Sequence, residues 1–262
     1  MLTRHLITRR ADRDGVDATV AERDYVLAHV VSQLYRARPD GGGRIVFKGG
    51  TALRLIHMSD YRYSADLDFT IVGGGVDASV AALSGVVEAA RDHCGFPVLE
   101  LTADATGLEY VGPLGSARPR RAKVDMATDE YVESVTQATV LDGIWEDLPG
   151  AQPLDVYPVG EITAEKLRCL IQRVQCRDLC DLFRFADDLD VSFVDVRPLF
   201  ERKARAKGID PEIFSGRFED RLDRYRKRWE SEMSEHLANP PRLDDVVRTV
   251  RRHLRTAGLL SM

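Results

Sequence analysis

The sequence predicts an α+β protein in which a mixed β-sheet flanked by helices is followed by a helical C-terminal lobe. Three observations predict it. Residues 45–69 read as strand, glycine turn, short helix and strand. Three short runs of strand character fall between residues 97 and 127, and from Glu161 onward apolar residues recur at helical spacing. With 262 residues, 44% of them hydrophobic, the chain can bury one large core or two modest ones.

The first helix, residues 20–35, carries Val26, Leu27, Val30, Val31 and Leu34 as a stripe suited to packing on a sheet. Pro39, Asp40 and Gly41 to Gly43 end it, and residues 45–47 begin the first strand. The stretch FKGGTALRLIHMSDYRYSADLDF, residues 47–69, follows. It opens on Lys48, Gly49, Gly50 and Thr51, passes through a helix-like segment at 52–57, and closes on Arg62, Ser64, Asp66 and Asp68 in an apolar strand. Side chains two apart on a strand share a face, so Asp66 and Asp68 converge while Leu67 and Phe69 point to the core. Two hard oxygen donors that repel one another are suited to Mg²⁺, whose other positions go to water and phosphate oxygens. The Gly-Gly-Thr turn offers backbone N–H groups at a helix start, where a phosphate can be held. Either motif alone is common, as a chance D-x-D or a tight turn with a Thr cap. Together, at this spacing, they point to a nucleoside triphosphate.

Beyond this stretch, a turn at Gly73 to Gly75 leads to a helix at 76–93. Strands at 97–102 and 108–111 are joined by a polar turn through Asp104 and Gly107. A Gly- and Pro-rich loop at 112–119, expected to be mobile, precedes a strand at 121–127. That strand contains Asp125, whose neighbours Val124 and Met126 take the opposite face. A buried carboxylate without a partner is costly, so Asp125 should sit at an exposed edge or beside a cation. Residues 145–158 hold Pro149, Gly150, Pro153 and Pro158 and read as a linker or edge region, which places a domain boundary near 159: a lobe at 1–158 and a helical lobe at 159–262.

In the second lobe, residues 161–175 and 177–190 form two helices, with Glu161 or Thr163 as a candidate cap for the first. Leu167, Leu170, Ile171 and Val174 make its apolar face, and Glu165, Lys166, Arg173, Arg177, Asp178 and Asp181 stand out against it. On spacing alone this is an exposed helix with internal ion pairs, Asp178 and Asp181 lying one turn apart beside Arg177 and Arg184. Helices at 196–207, 211–236 and 243–254 complete the lobe, the last two separated by Pro240 and Pro241. Phe214, Phe218, Leu222, Tyr225 and Trp229 lie at helical spacing, the pattern of a core stripe rather than a platform for bases.

The net charge of −5 conceals an asymmetry: residues 1–160 hold 16 Lys and Arg against 23 Asp and Glu, residues 161–262 hold 21 against 19. Basic runs occur at Arg118, Arg120, Arg121 and Lys123, at Arg202, Lys203, Arg205 and Lys207, at Arg224, Arg226, Lys227 and Arg228, and at Arg251, Arg252 and Arg255. Such runs are commonly solvated helix faces, though several in one half permit a polyanion-binding surface. Cys94, Cys169, Cys176 and Cys180 contain no C-x-x-C pair and have no histidine at ligand spacing, which argues against zinc and for reduced thiols filling the core. No apolar stretch is long enough to span a bilayer and residues 1–15 lack an apolar leader region, so a soluble, cytoplasmic protein without membrane contact is expected.

KGGTALRL followed by RYSADLDF resembles the signature of the AbiEii/AbiGii (MenT-like) nucleotidyltransferase toxins, a branch of the DNA polymerase β-like nucleotidyltransferase superfamily. The fifteen residues between Gly50 and Asp66 fit the toxin branch. EITAEKLRCLIQRVQCRDLCDL, residues 161–182, resembles the second signature of the same family. The resemblance covers residues from about 45 to 190 and implies a polymerase β-like fold. It implies catalysis by Asp66, Asp68, Lys166 and Asp181, and metal binding by Asp66 and Asp68 with Asp125 as a third carboxylate. Nucleotide binding would fall to Lys48, Gly49, Gly50, Thr51, Ser64 and Lys166. The expected cofactor is Mg²⁺, with Mn²⁺ as an alternative, and the substrate an NTP. The implied activity is that of a toxin in a type IV-like toxin–antitoxin pair, transferring NMP to the 3′ acceptor end of tRNA and blocking translation, with an AbiEi-like antitoxin as genetic partner. Transfer to a protein hydroxyl or an aminoglycoside-like small molecule, or nucleotide binding without turnover, are the alternatives. Ser64 would share the face of Asp66 if the strand began there, and its phosphorylation would then set about two negative charges beside the metal ligands and oppose triphosphate binding.

Overall fold

The computed structural model describes residues 1–261. The chain forms two compact units, the first made of Met1–Thr128 and Val135–Tyr157, the second of Asp129–Ser134 and the chain from Pro158 onward. A short excursion at Asp129–Ser134 therefore belongs with the later helices.

The first unit is built on a seven-stranded sheet. Its strands are β1 (Arg44–Lys48), β2 (Asp66–Val72), β3 (Val98–Leu101), β4 (Gly107–Val111), β5 (Arg120–Ala127), β6 (Thr136–Ala138) and β7 (Leu154–Val156), in the order β3-β4-β5-β2-β1-β7-β6. β2 runs antiparallel to β1 and parallel to β5, so it has a neighbour on each side. Its burial alternates over Asp66 to Phe69, the acids half-buried and Leu67 and Phe69 fully buried, as a strand with one covered face requires. The rings of Phe47 and Phe69, register partners on β1 and β2, lie 5.7 Å apart and anchor that face.

Helices α1 (Arg4–Asp14), α2 (Ala18–Ser32) and α4 (Val76–Cys94) belong to this unit. α2 is buried on more than its apolar stripe: Glu22, Asp24 and His29 are also inside. Buried charges need partners, and these find them. Glu22 accepts the N–H of Leu114 and pairs with Arg120, while Arg4 donates to the Leu114 carbonyl. The 112–119 loop, expected to be mobile from its glycines and prolines, is thus pinned at Leu114. The 145–158 segment, expected as a linker or edge region, ends in the latter: Leu154 to Val156 form β7, parallel to β1 and next to the last strand of the sheet, with Tyr157 donating its N–H to the Phe47 carbonyl. Three residues between prolines are too few for a periodic signal.

The second unit contains α5 (Val159–Gln172), α6 (Cys176–Asp187), α7 (Phe193–Ala206), α8 (Phe214–Met233) and α9 (Leu243–Thr256). Phe214, Phe218, Tyr225 and Trp229 are buried, and the rings of Phe200 and Phe214 meet edge to face at 5.4 Å. Neither expected cap closes α5. Pro158 stands at the cap position, Thr163 donates back to the Val159 carbonyl, and Glu161 is fully buried. The Glu161 carboxylate instead accepts the N–H groups of Glu133 and Ser134 and pairs at 2.6 Å with Lys203, which also donates to the Tyr131 carbonyl. This buried pair holds the 129–134 excursion in the unit, and it removes Lys203 from the expected solvated basic run. Other members of the runs are also paired: Arg202 with Glu133, Arg228 with Glu232 and Arg251 with Glu219.

Candidate active site

The site in the first unit is set by strand register. Lys48 ends β1 opposite Asp68 of β2, and Asp68 is in turn opposite Asp125 of β5. Adjacent strands lie about 4.8 Å apart and residues directly opposite share a face, so Lys48, Asp68 and Asp125 form one row across three strands. Asp66 occupies the same face of β2, about 6.6 Å along the strand, opposite Lys123. The sheet therefore presents three carboxylates on one face of two neighbouring strands, flanked by two lysines. Asp125 is exposed although β5 is an interior strand, so the solvation it needs comes from an open face rather than from a sheet edge.

The glycine turn lies directly against this row. Gly49 has φ +78°, the left-handed region, and a Cβ there would stand 2.2 Å from Oδ2 of Asp68. At Gly50 a Cβ would stand 2.8 Å from Oγ of Ser64 and 3.0 Å from Nη2 of Arg62. Only residues without a side chain allow the backbone to approach the carboxylate, the hydroxyl and the guanidinium this closely. Lys48 is largely buried, with Nζ 5.6 Å from the Tyr157 ring. Thr51 uses its hydroxyl on the Asp66 carbonyl, tying α3 (Gly49–Ala52) to the first residue of β2. Ser64 precedes β2 and is buried, so the condition that it share the strand face of Asp66 is not met.

A buried ion pair that the sequence reading missed supports the turn. After α3 the chain continues as a π-helical turn, Leu53–His57. Arg54 in it is 3% exposed, donates to both oxygens of Asp24 on α2 and to the Tyr61 carbonyl, and stacks 3.7 Å above the Tyr63 ring. Trp145 donates to the same Asp24. This pair fixes the 58–65 segment that delivers Ser64 and Asp66. The available signal was an arginine inside the apolar run ALRLI and an acid inside the helical stripe of α2.

In the second unit, the other predicted residues form a buried group. Nζ of Lys166 lies 2.7 Å from Asp178 and 2.7 Å from Asp181, and Arg173 closes on Asp178 at 2.8 Å. Burial works to raise the Asp178 carboxyl, but Lys166 and Arg173 outweigh it and hold the group below its ordinary value. The expectation of an exposed helix is corrected here: Asp178 and Asp181 of α6 are buried and both meet a lysine on the preceding helix.

A mixed sheet whose central strand carries two aspartates beside a Gly-Gly turn is the architecture of a nucleotidyltransferase. The chain belongs to the AbiEii family, described as the nucleotidyl transferase AbiEii toxin of a type IV toxin–antitoxin system, whose model matches residues 32–250. Among solved structures it is similar to MenT4, a nucleotidyltransferase toxin from Mycobacterium tuberculosis H37Rv. Identity is 29% and the TM-score 0.58, over 76% of this chain and 69% of that one. No curated protein matches the chain. Among the described residues, no helix is long and apolar enough to cross a membrane.

Proposed function

We propose that this toxin-family nucleotidyltransferase transfers NMP from an NTP to the 3′ acceptor end of tRNA, with Mg²⁺ held at the sheet. The observation that carries the reading is the register that sets Asp68 beside Asp125 with Asp66 on the same face, next to a glycine turn with room only for backbone. The donor set fits a hard divalent ion, since all three are carboxylates, half-buried or exposed, on a face open to water. Asp66, Asp68 and Asp125 would hold it, and when bound it supplies charge neutralisation to the triphosphate during in-line displacement at the α-phosphorus.

The remaining work falls to this chain's own groups. Lys48, at the end of β1 in the carboxylate row, offsets negative charge on the phosphates. The N–H groups of Gly49, Gly50 and Thr51 offer the backbone donors, and Arg62 and Ser64 border the turn at Gly50. A nucleophilic oxygen of the acceptor attacks the α-phosphorus, the bond to the bridging oxygen breaks, and pyrophosphate leaves. For Lys166 and Asp181 the family resemblance alone supports contact with the triphosphate and a role as further acid. Loss of transfer in Lys166→Ala without loss of stability would favour that role; equal loss of both would make the residue part of the buried network.

The test is incubation of the whole chain with total tRNA, Mg²⁺ and each α-labelled NTP in turn, with Asp66→Ala as control. Label on tRNA that requires Asp66 and weakens steeply with salt is the expected result. Label on protein, or on a small acceptor alone, would replace the acceptor in this reading, and nucleotide binding without any transfer would overturn it. An AbiEi-like antitoxin is the genetic partner that the family membership supports.

A further inference from the structure

A second cluster of metal-ligand chemistry stands in the first unit, outside the acid row. His29 on α2, Cys94 at the end of α4 and Asp147 in the loop between β6 and β7 each bring a ligand atom to within 4.8 Å of the others. Nε2 of His29 is 3.6 Å from Sγ of Cys94 and 3.4 Å from Oδ1 of Asp147. Around a tetrahedral Zn²⁺, with Zn–N about 2.0–2.1 Å and Zn–S about 2.3 Å, nitrogen and sulfur stand about 3.6 Å apart and nitrogen and oxygen about 3.4 Å. Two of the three edges already have the length a bound ion would impose, and the third, between Cys94 and Asp147, is within 4.8 Å.

The surroundings fit as well. Asp147 Oδ1, a buried atom facing His29, has no hydrogen-bond partner, and the His29 side chain is 1% exposed. The other carboxylate oxygen, Oδ2, is held by the Tyr25 hydroxyl at 2.6 Å, and the same hydroxyl lies 3.1 Å from Cys94 Sγ, so one phenol orients two of the three groups. Burial pushes the His29 imidazole down to about 4, against the pull of Asp147, so it is neutral at pH 7. Burial raises the Cys94 thiol against the opposing pull of the Tyr25 hydroxyl and of the Met1 ammonium, which also lies 3.9 Å from Asp147 Oδ2.

We propose that His29, Cys94 and Asp147 form a binding site for Zn²⁺, with the fourth position left to water. Binding exchanges the Cys94 S–H bond for a Zn–S bond and releases one proton to solvent, with no change of oxidation state. The ion enters beside Asp147, the one of the three that is partly exposed. Its mixed nitrogen, sulfur and oxygen donors select a softer ion than the three aspartates of the sheet, so the two sites are distinct in chemistry as well as in place. The clip would join α2, α4 and the 139–153 loop. That loop also carries Trp145, the hydrogen-bond partner of Asp24. Cysteine spacing along the chain points away from zinc, whereas these three ligands meet only in the fold.

The test uses the whole chain, stripped with chelator and titrated with Co²⁺, then Zn²⁺. Expected are one equivalent of tightly held Co²⁺ with a near-ultraviolet thiolate-to-cobalt band, its displacement by Zn²⁺, and a rise in melting temperature with Zn²⁺. Cys94→Ser should abolish the band, Asp147→Asn should weaken binding at least about tenfold, and Asp66→Asn should leave both unchanged. A folded wild-type chain with no thiolate band, a band that persists in Cys94→Ser, or unchanged affinity in Asp147→Asn would each overturn the site. Asp147 is partly exposed, so its variant keeps the test usable should Cys94→Ser fail to fold.

Discussion

Two groups of aspartates, one in each unit, are arranged in opposite ways. In the sheet, Asp66 and Asp68 are half-buried and Asp125 exposed, spaced by the pleat and by the strand separation and backed by glycines. In the helical unit, Asp178 and Asp181 are both fully buried, and one lysine reaches both at 2.7 Å. The first arrangement keeps negative charge accessible to a ligand. The second consumes it within the fold, because a carboxylate out of water is tolerable only when a cation and hydrogen bonds meet it. Accessibility, more than residue type, sets how much of each group's charge the fold leaves free for a ligand.

The contrast can be broken first at the sheet. Asp66→Asn or Asp68→Asn should lower transfer by roughly 10³-fold, since several kcal/mol of charge stabilisation are lost, while the urea midpoint stays near that of wild type. A large fall in the midpoint would make these acids structural. Conversely, Asp181→Ala should cost about 3–5 kcal/mol in urea unfolding by leaving Lys166 with one partner fewer in a buried place. The Asp24–Arg54 pair provides a control within the first unit: Asp24→Ala should cost a similar amount, about 3–5 kcal/mol, and lower activity through displacement of the 58–65 segment.

Acid should sharpen the comparison. The folded Asp178 titrates below its ordinary value, so the stability it contributes is present above the unfolded value near 4 and is lost as pH falls through its depressed folded value. Unfolding followed between about pH 5 and pH 2 should steepen below about pH 4, and Asp178→Asn should flatten that limb. Among the variants expected to lose stability, Gly49→Ala should lose least. The left-handed backbone and the approach to Asp68 should cost about 1–2 kcal/mol, and displacement of the carboxylate should lower transfer more than the stability loss explains.

Much of the sheet was legible from sequence because its signals are local. The alternation in SADLDF places two acids on one face whatever strand lies alongside; Gly49 is the residue a left-handed turn against a carboxylate demands, and Gly50 the one that close approach to Ser64 and Arg62 demands. The helices of the second unit were legible for the same reason, their apolar residues recurring every three to four positions. β6 and β7 were not, being three residues each with no room for a period. Arg54 and Asp24 went unread, and Glu161 reads as a cap, because a charged residue in an apolar run looks like an interruption until its partner is known. The inward turn of Asp178 and Asp181 escaped as well: helix periodicity relates residues within α6, and their cation lies on α5.

Sequence by itself determined most of the longer elements (though not α1), the shared face of Asp66 and Asp68, and the family, since each depends on residues a few positions apart or on a matching motif. Tertiary structure alone decided that β5 lies parallel beside β2 in the register that sets Asp125 next to Asp68. It alone decided which charges are buried in pairs, and that His29, Cys94 and Asp147 meet. Strand and helix periods fix the direction of a side chain but carry no information about which distant segment it will face; that is settled by the packing that covers the most apolar surface while leaving no buried charge without a partner.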